Sequence, residues 1–147
     1  MSTATIKKII PCKKKDLINM VLDIENYPRF VPWCIAGKIH EKNDREDILE
    51  IKADLKVGKR FINETYSSLI LYYKDKDKIL VTNIDGPLKH LKNEWKFKSV
   101  NNSTQLEFDI DFELKNNFFN TIMKTSFNYG LNKIADAFEK RAIDLFK

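Results

Sequence analysis

The chain has 147 residues, of which 43% are hydrophobic and 32% charged, and it carries a net charge of +5. That length suits one domain, 1–147, with a core of its own, and the balance excludes a disordered or low-complexity chain. No apolar run approaches a membrane span, and residues 1–10 lack a basic head followed by a leader-like apolar segment, so the expected compartment is the cytoplasm. Cys12 and Cys34 are the only cysteines. Their spacing matches no metal or redox motif, and they read as two reduced, partly buried thiols. The positive charge leaves open a contact with something acidic, such as ribosomal RNA or an anionic membrane surface, beside the plainer reading of solvated lysines.

Residues 3–10 predict a short strand ended by Pro11. Over 14–23, Leu17, Ile18, Val21 and Leu22 fall on one face at helical spacing, which predicts a first helix. In 26–34, Pro28 and Pro32 exclude a long helix, although Pro28 can open one short turn as its first residue. This segment is dense in large apolar groups for a connector and is expected to tuck against a sheet. From Ile35 the period changes to two. Residues 48–57 put Leu49, Ile51, Ala53, Leu55 and Val57 on one face, with Glu50, Lys52, Asp54 and Lys56 on the other, and Gly58 marks a turn or bend. Strands follow over 59–73 and 78–84, separated by a polar turn at 74–77. In 89–98, Leu91, Asn93, Trp95 and Phe97 alternate with His90, Lys92, Glu94, Lys96 and Lys98. After a turn at 101–103, Leu106, Phe108, Ile110, Phe112 and Leu114 alternate with Glu107, Asp109, Asp111 and Glu113, giving one buried face and one solvated acidic face.

The final stretch, 118–147, repeats Phe119, Ile122, Met123, Phe127, Leu131, Ile134, Phe138 and Leu145 at steps of three and four, the mark of one helical face. Asn116 or Asn117 suits its N-cap. A helix of this length, about 45 Å, needs a surface that hides its apolar stripe. The expected fold is therefore α+β: an antiparallel sheet of six to seven strands curved around a long C-terminal helix, with two short N-terminal helices. Such a sheet is about 30 Å wide, whereas a helix with its side chains is only about 10–12 Å across. Either the sheet curls or the small helices cover the remainder, and a curled sheet closed by a helix tends to enclose a pocket. The candidate lining is Phe61, Leu91, Trp95, Phe97, Phe108 and Phe112 from the sheet, with Met123, Phe127 and Leu131 from the helix. The competing reading is that these side chains fill a solid core. Gly130, in mid-helix, points to a close approach or to spare room.

Three pieces of the chain carry a family likeness. The run from Tyr27 through Pro28, Arg29, Phe30, Val31, Pro32 and Trp33 to Cys34, then Asp85-Gly86-Pro87-Leu88 with Lys89, His90 and Leu91, then Trp95-Lys96-Phe97, resemble the coenzyme Q-binding, START-like proteins. These lie within the polyketide cyclase/dehydrase and lipid transport group, and their bacterial branch also carries the name ribosome association toxin. Val31 stands where leucine is commoner, an apolar exchange. The resemblance implies a helix-grip fold with a hydrophobic tunnel for ubiquinone or another isoprenoid lipid, held as ligand by a carrier or chaperone of respiratory electron transport that requires no cofactor. It implies a lid near the entrance built from Tyr27, Phe30, Pro32, Trp33 and Cys34. Peripheral contact with the inner membrane is left open, and no DNA partner is expected. The alternative is a protein that binds the large ribosomal subunit and blocks subunit joining, with Lys13, Lys14, Lys15, Lys89, Lys92, Lys96 and Lys98 as candidate phosphate contacts.

Catalytic signatures are not evident. No Ser/His/Asp or Cys/His constellation stands out, and His40 and His90 fall on polar strand positions. Glycines are scattered singly, so no phosphate loop forms, and no metal-ligand spacing occurs. Asp23, Glu25 and Asp85 suit capping or turn roles better than orientation of a headgroup. Asn63, Glu64, Tyr66 and Asn93 are the polar candidates for cyclase-type chemistry. The expectation is a binding protein, not an enzyme.

Overall fold

The computed structural model describes residues 2–59 and 62–146, with the side chains of 2, 59, 62 and 117–126 outside the description. Seven strands form one sheet: β1 (Ser2–Ile10), β2 (Cys34–Asp44), β3 (Ile48–Lys59), β4 (Ile62–Tyr73), β5 (Lys78–Asp85), β6 (Leu88–Val100) and β7 (Ser103–Leu114). Their order is β1-β7-β6-β5-β4-β3-β2, and every neighbouring pair is antiparallel. Strands β2 to β7 are a meander, because polar turns alternate with period-two runs. β1 pairs with β7, so the chain must cross from one sheet edge to the other before β2 begins. Helix α1 (Lys14–Leu22) and a 3-10 segment (Ile24–Arg29) make that crossing, and α2 (Asn117–Phe146) returns along the sheet. This is the curved sheet and C-terminal helix that the sequence predicts.

Curvature has a local cause. Register breaks at Cys34/Ala36, Ser67/Ser68 and Leu88/His90 sit towards one end of the sheet, and bulges bend and twist a strand. There the β5–β6 ladder stops at Thr82↔Lys92. Beyond it the Asn83 side chain bridges the strands: its Oδ1 accepts the Leu91 N–H at 3.0 Å and its Nδ2 donates to the Leu88 carbonyl at 3.2 Å.

The opposite end is solid. Ile10, Leu17, Cys12, Leu106 and Ala142 are buried together, and Thr104 Oγ1 donates to the Cys12 carbonyl at 2.8 Å. Phe138 of α2, 2% exposed, meets Tyr27, Phe30 and Trp95 edge-on at 5.5, 5.1 and 5.3 Å. Edge contacts of this kind add about 0.5–1.5 kcal/mol each to the burial of the rings. Lys8 of β1 reaches Asp136 at 2.9 Å and Glu139 at 3.2 Å, fastening α2 to the sheet edge. Among the described residues no helix is long and apolar enough to cross a membrane.

Several expectations are corrected. Gly58 is not a turn: it lies within β3, pairs with Asn63 and donates its N–H to the Trp33 carbonyl at 3.0 Å. Pro28 does not open its short helix but lies inside it, where the segment ends before the missing N–H matters further. Leu145 is 49% exposed, because the last turn of α2 outruns the surface that covers Phe138 and Ala142. Asn116 directly precedes α2, in the N-cap position. Phe119, Ile122 and Met123 lie outside the described side chains.

Candidate functional site

Antiparallel register assembles the concave face row by row. One row runs Ile51, Ile70, Val81, Asn93, Ile110, Ala4 across six strands, each residue paired with the next. α2 does not seat on the middle of this row. Between the sheet, α2 and residues 31–34 lies a cavity of about 280 Å³, walled by Ile70, Ile79, Val81 and Ile110 beneath, Leu131 and Ile134 above, and Tyr27 and Phe138 at its closed end. A more open chamber of about 410 Å³ continues it towards Leu88, Leu91, Leu114 and Phe127. The two share Trp33, Leu55, Val57, Ser68, Val81, Asn93, Ile110, Leu131 and Ile134, so they form one space with a waist. Chambers of this size and apolar character match small-molecule sites.

Trp33 stands at that waist with φ +64, in the left-handed region. For a bulky residue this costs about 1–2 kcal/mol. The turn is held by Cys34 N–H on the Val31 carbonyl at 3.3 Å and by Gly58 N–H on the Trp33 carbonyl at 3.0 Å. The result aims the indole at α2, where Gly130 leaves the backbone bare.

No charged side chain is among the described residues lining either chamber. The polar groups are few. Tyr27 donates its hydroxyl to the Val21 carbonyl, and burial pushes its pKa well above the ordinary phenol value. Burial raises the Cys34 thiol as well, and the backbone of Ala36 acts the other way more weakly; the Cys34 Sγ lies 3.7 Å from the Ala36 carbonyl oxygen. Tyr66, on the outer chamber, is raised by burial and then by Glu64. Asn93 is 7% exposed; its Oδ1 accepts the Trp95 indole N–H at 2.7 Å and its Nδ2 donates to the Asp109 carbonyl at 2.9 Å. Ser68 lies across β5 from it.

Of the predicted lining and lid, Tyr27, Pro32, Trp33, Cys34, Trp95, Phe108 and Leu131 border the inner chamber, and Leu91, Phe112 and Phe127 the outer one, which the motif residue Leu88 also borders. Phe30 and Phe97 border neither. Phe30 is spent on Phe138 and on the Arg141 guanidinium, 5.3 Å above its ring. Phe97, opposite Leu106, lies beyond the Trp95–Phe108–Phe138 layer that closes the cavity. Phe61 and Met123 fall outside the described side chains. Gly86 (φ +120) and Pro87 form the β5–β6 turn, with Gly86 N–H on Asp85 Oδ1 at 2.8 Å and Lys115 N–H on the Pro87 carbonyl at 2.9 Å. A side chain at Gly86 would strike the Thr65 carbonyl at 2.7 Å. Asn63 and Glu64 are exposed and take no part in the cavity. Asp23 accepts from Asn26 at 2.6 Å and Glu25 accepts the Ile39 N–H at 3.0 Å, both local structural duties. Sequence reasoning missed Ile70, Val81 and Ile110, which alternation alone marks as inward but does not distinguish from solid core.

The outer face holds groups the sequence did not bring together. Ser67 Oγ donates to Asp54 Oδ1 at 2.6 Å, and His40 Nε2 lies 2.7 Å from Asp54 Oδ2. A nucleophilic triad needs the imidazole between hydroxyl and carboxylate; here the carboxylate is in the middle, so the serine is not activated. His90 Nε2 approaches Asp111 at 3.5 Å. Lys96 faces Glu94, Glu107 and Asp109 at 3.4, 3.8 and 3.9 Å, Lys89 faces Glu113 at 4.0 Å and Lys14 faces Asp77 at 2.8 Å. The acid row of β7 thus offsets the lysines of β6, leaving Lys13, Lys15, Lys92 and Lys98 as candidate phosphate contacts with no ion pair among the described residues.

The family model described as polyketide cyclase / dehydrase and lipid transport matches residues 11–139. The chain is 34% identical over 143 residues to the ribosome association toxin of Rickettsia prowazekii, covering 95% of each. It is 29% identical over 147 residues to the mitochondrial coenzyme Q-binding protein of Dictyostelium discoideum, covering 98% of this chain and 70% of that one. A START superfamily protein from Mycobacterium smegmatis superposes with a TM-score of 0.82 at 19% identity, covering 97% of this chain and 98% of that one, which shows the shared fold.

Proposed function

Because the chain belongs to the polyketide cyclase/dehydrase and lipid transport family, we propose that it binds a lipophilic small molecule, an isoprenoid quinone of the ubiquinone type, as carrier or chaperone. The observation that carries this reading is the apolar space between the sheet and α2, which no charged side chain among the described residues lines. Each buried CH₂ of a tail contributes about 0.8 kcal/mol, so such a wall holds a prenyl chain without any charged contact. The quinone itself is suggested by the coenzyme Q-binding relative. Binding is favoured over catalysis because the described polar groups facing the cavity offer no poised acid–base pair: the Tyr27 and Cys34 protons are held more tightly than usual. Organic extraction of the natively purified protein, followed by mass spectrometry, is expected to release a quinone or related lipid in near-stoichiometric amount. A clean extract together with no binding on titration refutes it.

A second reading, association with the large ribosomal subunit, is favoured by the identity to the ribosome association toxin along 95% of both chains. The outer face supports it in part: of the β6 lysines, Lys89 and Lys96 are matched by carboxylates, while Lys92 and Lys98 have no ion pair among the described residues. Co-sedimentation with ribosomes that falls steeply with salt would support it, and no co-sedimentation at low salt would end it.

A further inference from the structure

The inward row Ile51–Ile70–Val81–Asn93–Ile110–Ala4 has one polar member. A polar side chain 7% exposed in an apolar wall must be accounted for atom by atom. The indole N–H of Trp95 can only donate, so the Asn93 atom that meets it at 2.7 Å is the carbonyl oxygen, and the amide orientation is fixed. Nδ2 is then the nitrogen, with two hydrogens. One goes to the Asp109 carbonyl at 2.9 Å. The other has no acceptor among the described residues, and Asn93 borders both chambers. Ser68, on the same waist, also has no hydrogen-bond partner for its hydroxyl among the described residues. It sits opposite Ala53 and Asn83, whereas Asn93 sits opposite Val81, so the Ser68 backbone stands about 12 Å from that of Asn93, two strand spacings across and two residues along β5.

We infer that Asn93 and Ser68 are the polar pole of the cavity, selecting an uncharged ligand that presents a carbonyl-type acceptor to the spare Asn93 N–H while apolar carbon fills the chambers on either side. The inference rests on the carrier reading above and specifies its ligand class. Asn93 is pre-oriented: both of its other hydrogen bonds are to the protein framework, so no reorganisation accompanies binding. A second acceptor on the same head meets the Ser68 hydroxyl. Carboxylates and phosphates are disfavoured at the waist, because no cation among the described residues borders it and a desolvated anion there has no compensating charge from them. Selection is thus against anionic lipids as much as for neutral carbonyl compounds.

The test uses three probes of matched tail: undecanophenone, its carbonyl-free counterpart undecylbenzene, and para-decylbenzoate, titrated calorimetrically into the purified protein at neutral pH. The ketone is expected to bind about 10-fold more tightly than the hydrocarbon, the worth of one well-made hydrogen bond in a dry site, and the benzoate most weakly. Asn93→Leu is expected to erase the ketone's advantage. Asn93→Leu also strips the Trp95 indole of its acceptor. If it does not fold, the three-probe ranking on the parent protein decides. Equal binding of ketone and hydrocarbon, or tightest binding of the benzoate, overturns the polar pole while leaving the carrier reading intact. Binding of none of the three overturns the carrier reading and the inference with it.

Discussion

The indole of Trp33 lies 3.8 Å from the point at which Gly130 would carry a Cβ. That is ordinary van der Waals separation, so a methyl group fits there and a larger group does not. Gly130→Ala is expected to raise stability by up to about 1 kcal/mol, the helix-propensity difference, with ligand affinity little changed. Gly130→Phe places a ring in the outer chamber beside Trp33 and is expected to lower affinity at least about 10-fold, more than its effect on the folding midpoint implies. Parallel urea melts and ligand titrations separate the two effects.

Phe138 closes the cavity at its deep end, with Tyr27, Phe30 and Trp95 set edge-on around it. Phe138→Ala is expected to cost about 3–5 kcal/mol in denaturant unfolding, the range for a fully buried phenylalanine. Phe30→Ala, at a half-buried ring outside the cavity, is expected to cost less and to leave ligand affinity near that of the parent.

Burial raises the Cys34 thiol above its ordinary value. At neutral pH the thiolate fraction is therefore smaller than in a free cysteine, and alkylation by iodoacetamide is expected to be slower than that of a model thiol. The rate should climb with pH beyond the point where a free thiol has levelled off. Because Cys34 borders the inner chamber, a bound ligand should slow the reaction further. Mass-spectrometric timing of the adduct, with and without ligand, reads both effects.

Two charged groups add to stability with opposite dependence on pH. Asp54 is held below the usual carboxylate range, first by the Ser67 hydroxyl and then by His40. Its contribution is fully present above the unfolded carboxylate value and is lost as pH falls through the lowered folded value. Lys8 is raised, chiefly by Asp136 and also by Glu139. Its contribution is fully present below the unfolded lysine value and is lost as pH rises through the raised folded one. Thermal melts across pH should therefore show a slightly shallower acid-side slope in Asp54→Asn and a slightly shallower alkaline-side slope in Lys8→Met. Both groups are partly solvated, so each effect is small, within about 1 kcal/mol.

The sheet was legible because period-two alternation is strong wherever one face is wet. Leu106 to Leu114 against Glu107 to Glu113 leaves one pairing face and one register. The long helix was legible from its spacing of three and four. Gly58 misled because a glycine often marks a turn, whereas here it lies inside β3, paired with Asn63 and donating to the Trp33 carbonyl, a contact distant in sequence. Phe97 and Phe108 are alike in pattern, yet only Phe108 borders the cavity. The difference lies in where α1 and Phe138 pack, and no local period encodes that. The Ser67–Asp54–His40 cluster was invisible for the same reason: strand pairing brings together three residues that no motif joins. The waist itself depends on the left-handed Trp33, a backbone state that the sequence gives no reason to expect of a tryptophan.

The central claim is that a neutral lipid occupies the space between the sheet and α2. Methyl NMR of the selectively labelled protein with a bound isoprenoid quinone tests it most directly. The account predicts intermolecular contacts from the ligand to the methyl groups of Ile70, Val81, Ile110 and Leu131, which border the inner chamber. Contacts confined to the exposed Ile143 and Leu145, with the inner methyl groups unshifted, would contradict it.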